Sequence, residues 1–147
     1  MSNNLRFKTS KFIDETYRVS FKFNNKTYFG YKGDTLASAL LANGVHLVGR
    51  SFKYHRPRGI MTSGSEEPNA IIQLHDNSSR TEPNVRATEV EIYEGLVASS
   101  QNCWPSVNFD IGGINNLLSP FLPAGFYYKT FMWPANFWEK YEYFIRK

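Results

Sequence analysis

The densest chemistry in this chain lies in one run, Arg50-Ser51-Phe52-Lys53-Tyr54-His55-Arg56-Pro57-Arg58-Gly59. Four permanent cations and a histidine stand there with no acid among them. Guanidinium groups grip phosphate or carboxylate through paired hydrogen bonds, and Pro57 and Gly59 set the turns that would present them. Three readings are open. The run recognises a phosphorylated cofactor such as a flavin nucleotide at a subunit boundary. It binds RNA or DNA, with Phe52 and Tyr54 as stacking platforms. Or it is a solvated loop, or one that pairs with carboxylates of a neighbouring subunit. Arg50, Lys53, Arg56 and Arg58 are accordingly the candidate cofactor-binding residues, facing an anion that is either a flavin phosphate or a set of partner carboxylates.

Other reactive residue types form no constellation. His46, His55 and His75 lack metal-site spacing. Cys103 is the single cysteine, which excludes an internal disulfide, a thiolate zinc site and a four-cysteine iron–sulfur cluster within this chain. Cys103 beside Trp104 reads as a buried or bystander thiol rather than a nucleophile. Ser63-Gly64-Ser65-Glu66-Glu67 is neither a Walker loop nor a dinucleotide fingerprint and reads as a turn. No catalytic residue and no metal ligand is expected.

The elements that must position these residues follow from periodicity. Tyr17, Val19, Phe21 and Phe23 alternate with Arg18, Ser20 and Lys22, the pattern of a half-buried strand. Asn24-Asn25-Lys26 is a turn that tolerates positive φ, and Thr27 to Tyr31 is the returning strand. Gly33-Asp34-Thr35 offers a helix N-cap, Leu36, Ala39 and Leu40 an inward stripe, and Asn43-Gly44 a stop. A short apolar piece, Val45 to Val48, leads into the basic loop. Asn69 to His75 is β-like, Asp76 to Asn84 is turn-rich, and Glu89 to Ala98 alternates again through Val90, Ile92 and Leu96. The order β-β-α-loop-β-β leaves one short helix that can bury its stripe only on the sheet. A mixed sheet clasping one helix, an α+β β-grasp architecture, is the economical packing.

The 147 residues allow one ordinary domain, or a small one with an extension. With 41% apolar and 20% charged residues the chain is not compositionally disordered. Its net charge of +4 is too weak alone to argue for nucleic acid. That charge is uneven: residues 1–65 carry eleven basic and three acidic residues, residues 66–147 six basic and ten acidic. Only the first part could attract an anion strongly. Aromatics are skewed the other way, with 13 of 24 between Trp104 and Lys147, a stretch that prolines 105, 120, 123 and 134 interrupt. It is either an extension folded back on its own core or an arm docking on a partner. No segment resembles a signal peptide and nowhere do 18 apolar residues run together, so a cytoplasmic protein without membrane contact is expected.

These pieces resemble a known family. Gly33-Asp34-Thr35-Leu36-Ala37-Ser38-Ala39-Leu40-Leu41-Ala42-Asn43-Gly44 is the first of the motifs, and the basic loop through Ile60-Met61 the second. With Gly64-Ser65-Glu66-Glu67-Pro68-Asn69-Ala70, Asn102-Cys103-Trp104-Pro105-Ser106 and Phe131-Met132-Trp133-Pro134, they look like the start of the heterotetrameric sarcosine oxidase α subunit. The resemblance covers residues 15–147. It implies a ferredoxin-like module of the [2Fe–2S] β-grasp type. In related oxidoreductases a cysteine cluster follows the basic loop, whereas here residues 60–68 contain no cysteine, so the fold is implied and the cluster is not.

The resemblance implies an assembled enzyme that oxidises sarcosine to glycine with oxygen, giving hydrogen peroxide and, with tetrahydrofolate, methylene-tetrahydrofolate. FAD, FMN, NAD and tetrahydrofolate belong to that assembly, and no cofactor to this chain alone. Residues 1–14 are then an N-terminal extension, 15–101 the β-grasp domain, and 102–147 an aromatic, proline-interrupted arm packing on the core or a partner. The partners are the remainder of the α subunit and the β subunit, with no nucleic acid. The alternative is a free-standing β-grasp adaptor or interaction protein without catalysis.

Overall fold

The computed structural model describes residues 5, 6, 11–75, 80–119 and 140. The chain opens with the hairpin of β1 (Asp14–Phe23) and β2 (Lys26–Lys32), closed by Asn24 and Asn25 at φ of 50° and 62°. Asparagine tolerates this left-handed geometry, which matches the twist of the two strands. Val19, Phe21 and Phe23 are buried, while Tyr17 at the hairpin's outer end is exposed. The helix α1 (Leu36–Ala42) follows, its first turn capped by Thr35, whose hydroxyl accepts the Ser38 N–H at 3.2 Å. Asn43 and Gly44, the latter at φ 76°, end it.

Beyond the helix, β3 (Gly49–Arg50) pairs antiparallel with β4 (Pro57–Arg58), so the basic run is a miniature two-stranded ladder rather than an open loop. Three further strands complete the main sheet: β5 (Ile71–His75), β6 (Thr81–Arg86) and β7 (Leu96–Ser100). The five-stranded order is β2-β1-β7-β5-β6, with β1 and β7 parallel and every other pair antiparallel. One face of this mixed sheet holds α1: Leu36, Ala39 and Leu40 lie fully buried among Val19, Phe21, Phe23, Val48, Ile72 and Leu96. The expected β-grasp is the observed fold. No helix among the described residues is long and apolar enough to cross a membrane.

Two expected elements are corrected. The turn-rich stretch ends in an edge strand, because residues 81–86 pair with β5; residues 76–79 lie outside the described residues. An edge needs hydrogen bonds on one side only, so it admits Pro83 and the positive φ of Asn84, residues that masked the strand in the sequence. The alternating run from Glu89 to Ala98 is a strand only from Leu96. Its first part, with Ala87 just before it, instead crosses the start of α1, where the N–H groups of Leu36 and Ala37 donate to the carbonyls of Val90 and Ala87 at 2.7 and 2.9 Å. Ile92 N–H donates to Asp34 O at 2.9 Å. Extended chain packed on a helix end alternates like a strand without joining a ladder, and here it satisfies orphan helix donors.

The described part of the arm, residues 102–119, forms a 3-10 turn at Ile111–Gly113 and the short helix α2 (Ile114–Leu117). The rest of the aromatic arm, including Phe131-Met132-Trp133-Pro134, lies outside the described residues. Because Leu40 is fully buried, Leu40→Ala is expected to cost about 2–5 kcal/mol, and Thr35→Ala, which removes only a cap, about 1 kcal/mol. Urea midpoints of the two variants check that ranking.

Candidate functional site

The basic run is folded on itself before it meets anything else. Ser51 N–H donates to Arg56 O and His55 N–H to Ser51 O, both at 2.9 Å, and His55 sits at φ 52°. This tight turn aims Arg50 across to the segment that follows β7. Its Nε donates to Val107 O at 2.8 Å and its Nη1 to His55 O at 2.8 Å, while Nε lies 3.7 Å from Asp110 Oδ2. The Asp110 side chain is fully buried. Its Oδ2 is 2.7 Å from His55 Nδ1, and its Oδ1 accepts the N–H groups of Trp104 and Gly112 at 2.9 and 3.1 Å. Gly112 abuts the His55 ring so closely that a Cβ there would lie 2.2 Å from Cε1.

The other candidate cations are placed separately. Arg56 is exposed, donates through Nε to Asn116 Oδ1 at 3.0 Å and lies 4.9 Å from the Tyr54 ring centre. Lys53 lies 4.9 Å from the same ring. Arg58 donates through Nη1 to Asn69 Oδ1 at 2.6 Å. Arg50 and Arg56 thus reach the post-β7 segment, Arg58 reaches the loop before β5, and Lys53 and Arg56 share Tyr54. Among the described residues, the run meets a carboxylate of this chain, Asp110, through Arg50 and His55.

Cys103 borders a cleft of about 780 Å³, which Lys26, His46, Ser100 and Pro105 also line. Burial pushes its thiol up to about 11, with Asp110 adding to the rise and Arg50 opposing it. A thiol so far from ionisation is a poor nucleophile. The histidines are dispersed: His55 sits on Asp110, His75 Nε2 lies 2.7 Å from Ser99 Oγ, and His46 is at the cleft. Among the described residues no group of three or more His, Cys, Asp or Glu could hold a metal ion.

Residue-type reasoning missed Glu67. Its turn is present as a 3-10 helix at Gly64–Glu66, but Glu67 itself is fully buried. Oε1 accepts the N–H groups of Asn69 and Ala70 at 2.7 and 3.1 Å. Oε2 accepts those of Met61 and Thr62 at 2.7 and 2.6 Å. Burial alone would raise this carboxyl, yet the four amides outweigh it and hold Glu67 at about 2. The available signal was a carboxylate placed immediately after a Ser/Gly turn, where amide donors are plentiful. Asp110 had a weaker one, since its partner His55 stands 55 positions away.

A mixed sheet clasping one helix defines the chain as a ferredoxin-like β-grasp module. The family model described as a 2Fe-2S iron-sulfur cluster binding domain matches residues 16–103, and the chain belongs to that family. Its curated relatives are more particular. The chain is 63% identical over 136 residues to the sarcosine oxidase subunit alpha of Rhizobium meliloti (strain 1021), an overlap of 92% of this chain and 14% of that one. Subunits of the same name from Corynebacterium sp. strains U-96 and P-1 are 44% and 36% identical over 89 residues, covering 59% of this chain and 9% of theirs. The chain therefore spans a small part of the length of the relatives it matches. The cluster does not fit the residues present: it needs four thiolates, and the chain has a single cysteine.

Two expectations follow. At pH 8 Cys103 in the folded chain is expected to react with iodoacetamide on the order of a hundredfold more slowly than in the urea-unfolded chain, read by mass spectrometry, since only the thiolate attacks. Glu67 has a folded pKa below its ordinary value of 4.5, so its stabilising contribution is complete above pH 4.5 and lost as pH falls through about 2. Acid titration of the unfolding free energy, compared with Glu67→Gln, isolates that contribution.

Proposed function

We propose that this chain forms the N-terminal structural and assembly domain of a sarcosine oxidase α subunit and has no activity alone. The observation that carries this reading is the 63% identity to such a subunit over 92% of the chain. The assembled enzyme would convert sarcosine, oxygen and tetrahydrofolate to glycine, hydrogen peroxide and methylene-tetrahydrofolate. The N-methyl carbon passes to the folate, and two electrons and two protons pass to oxygen. FAD, FMN, NAD and tetrahydrofolate would be held by the remainder of the α subunit and by the β subunit, in the cytoplasm.

Within this reading the chain contributes surface rather than chemistry. The segment fixed by Asp110 exposes Trp104, Phe109, Ile111, Ile114 and Leu117, the last at 77%. Exposed apolar residues gathered on one short segment support docking against the rest of the enzyme. Arg50 and Arg56 reach the same segment, and the reading gives Arg50, Lys53, Arg56 and Arg58 an anion at the subunit boundary, either a flavin phosphate or partner carboxylates. Exposed Arg56 is the member best placed to meet it.

In enzyme assembled from full-length subunits, Ile114→Glu with Leu117→Glu is expected to lower the assembled fraction at least about tenfold in sedimentation, with activity following that fraction. Arg56→Glu is expected to lower flavin content or assembly. The isolated chain should be colourless and release no hydrogen peroxide from sarcosine. Turnover by the isolated chain, or assembly indifferent to the double substitution, would refute the assignment.

A further inference from the structure

The loop from Gly59 to Ala70 joins β4 to β5 with only a single 3-10 turn of regular structure. Loops of this length usually leave their backbone donors to water or gather them on a ligand. Here the interior of the loop is a carboxylate. The amides of Met61 and Thr62 from one side and of Asn69 and Ala70 from the other converge on Glu67, and the Thr62 hydroxyl adds a longer contact at 3.4 Å. Salt bridges among the described residues join Arg6 to Asp34, Arg50 to Asp110, and Arg86 to Glu89, and none involves Glu67. Amide dipoles therefore meet its charge. The outer frame is tied as well: Arg58 holds Asn69, Arg86 Nε donates to Glu67 O at 3.2 Å, and Thr88 Oγ1 donates to Gly64 O at 2.6 Å.

We propose that Glu67 is the internal anion around which this loop is folded, standing in for the iron–sulfur cluster of its family and making the loop's shape independent of metal. A bound cluster is an anion whose sulfurs can accept backbone N–H groups, and a buried carboxylate offers the same kind of acceptor to the inward-pointing amides of this loop. Glu67 is a positioning residue in this sense: it sets where Met61 and the exposed turn 62–66 lie, and touches no substrate. Both oxygens are required. Glutamine could offer its oxygen to one amide pair, but its NH2 would face the other pair donor to donor. The proposal rests on family membership and these contacts, and is independent of the sarcosine oxidase reading.

The test is amide hydrogen exchange by NMR on this chain after treatment with a strong chelator. The amides of Met61, Thr62, Asn69 and Ala70 are expected to stay protected. Glu67→Gln should lower their protection on the order of tenfold to hundredfold while the amides of α1 and β1 keep theirs. Anaerobic incubation with ferrous iron and sulfide should add no visible charge-transfer absorption. Unprotected loop amides in the chelated chain, unchanged protection in Glu67→Gln, or a coloured, iron-loaded chain would each overturn the proposal. If Glu67→Gln does not fold, the carboxyl carbon shift of Glu67 in the unsubstituted chain decides. A midpoint near 2 supports the role, and one near 4.5 overturns it.

Discussion

A carboxylate withdrawn from water must be met by donors, and in this chain that requirement ties together stretches far apart in sequence. Asp34 takes the Tyr31 N–H at 2.9 Å, the Ser38 hydroxyl at 2.7 Å and the Arg6 guanidinium at 2.9 Å, tying the N-terminal segment, the end of β2 and the start of α1 at one point. Glu67 closes the loop before β5 on four amides. Asp110 joins the turn of the basic run to the segment after β7. The β-grasp core supplies most of the apolar burial, but these three carboxylates determine the course of the chain outside it.

The Asp110 junction bears most directly on function. A run of four cations with no acid invites an external anion as its explanation. In the fold, Arg50 and His55 are directed inward at one buried carboxylate, and the segment holding it is presented with its apolar side chains outward. Positive charge that looks available in a linear reading therefore works first as internal scaffolding. What is left toward solvent is a mixed surface, in which exposed Arg56 bonds Asn116 on the short helix that carries exposed Ile114 and Leu117.

The core was legible because its signals are local. Alternation in β1, the Asn24-Asn25 turn, the Thr35 cap and the Leu36, Ala39 and Leu40 stripe each lie within a few residues, and each forms as read. Legibility failed where the deciding partner was distant. Residues 81–86 lack strand character and pair because β5 lies beside them with an open edge. Val90 and Ile92 have strand character, yet they pack on the start of α1, where the Val90 carbonyl accepts the Leu36 N–H and the Ile92 N–H donates to Asp34 O.

Residue types by themselves determined the β-grasp class, the inability to ligate a four-thiolate cluster, and the basic run as the chemically distinctive segment. Those conclusions rest on short-range periodicity and on a count of cysteines, which folding cannot alter. Tertiary structure alone decided that Glu67 and Asp110 are buried, that Arg50 faces the chain's own carboxylate, and that the Cys103 thiol is pushed up to about 11. Burial and electrostatic partnership depend on which distant atoms come within a few ångströms, and no spacing along a chain encodes that distance.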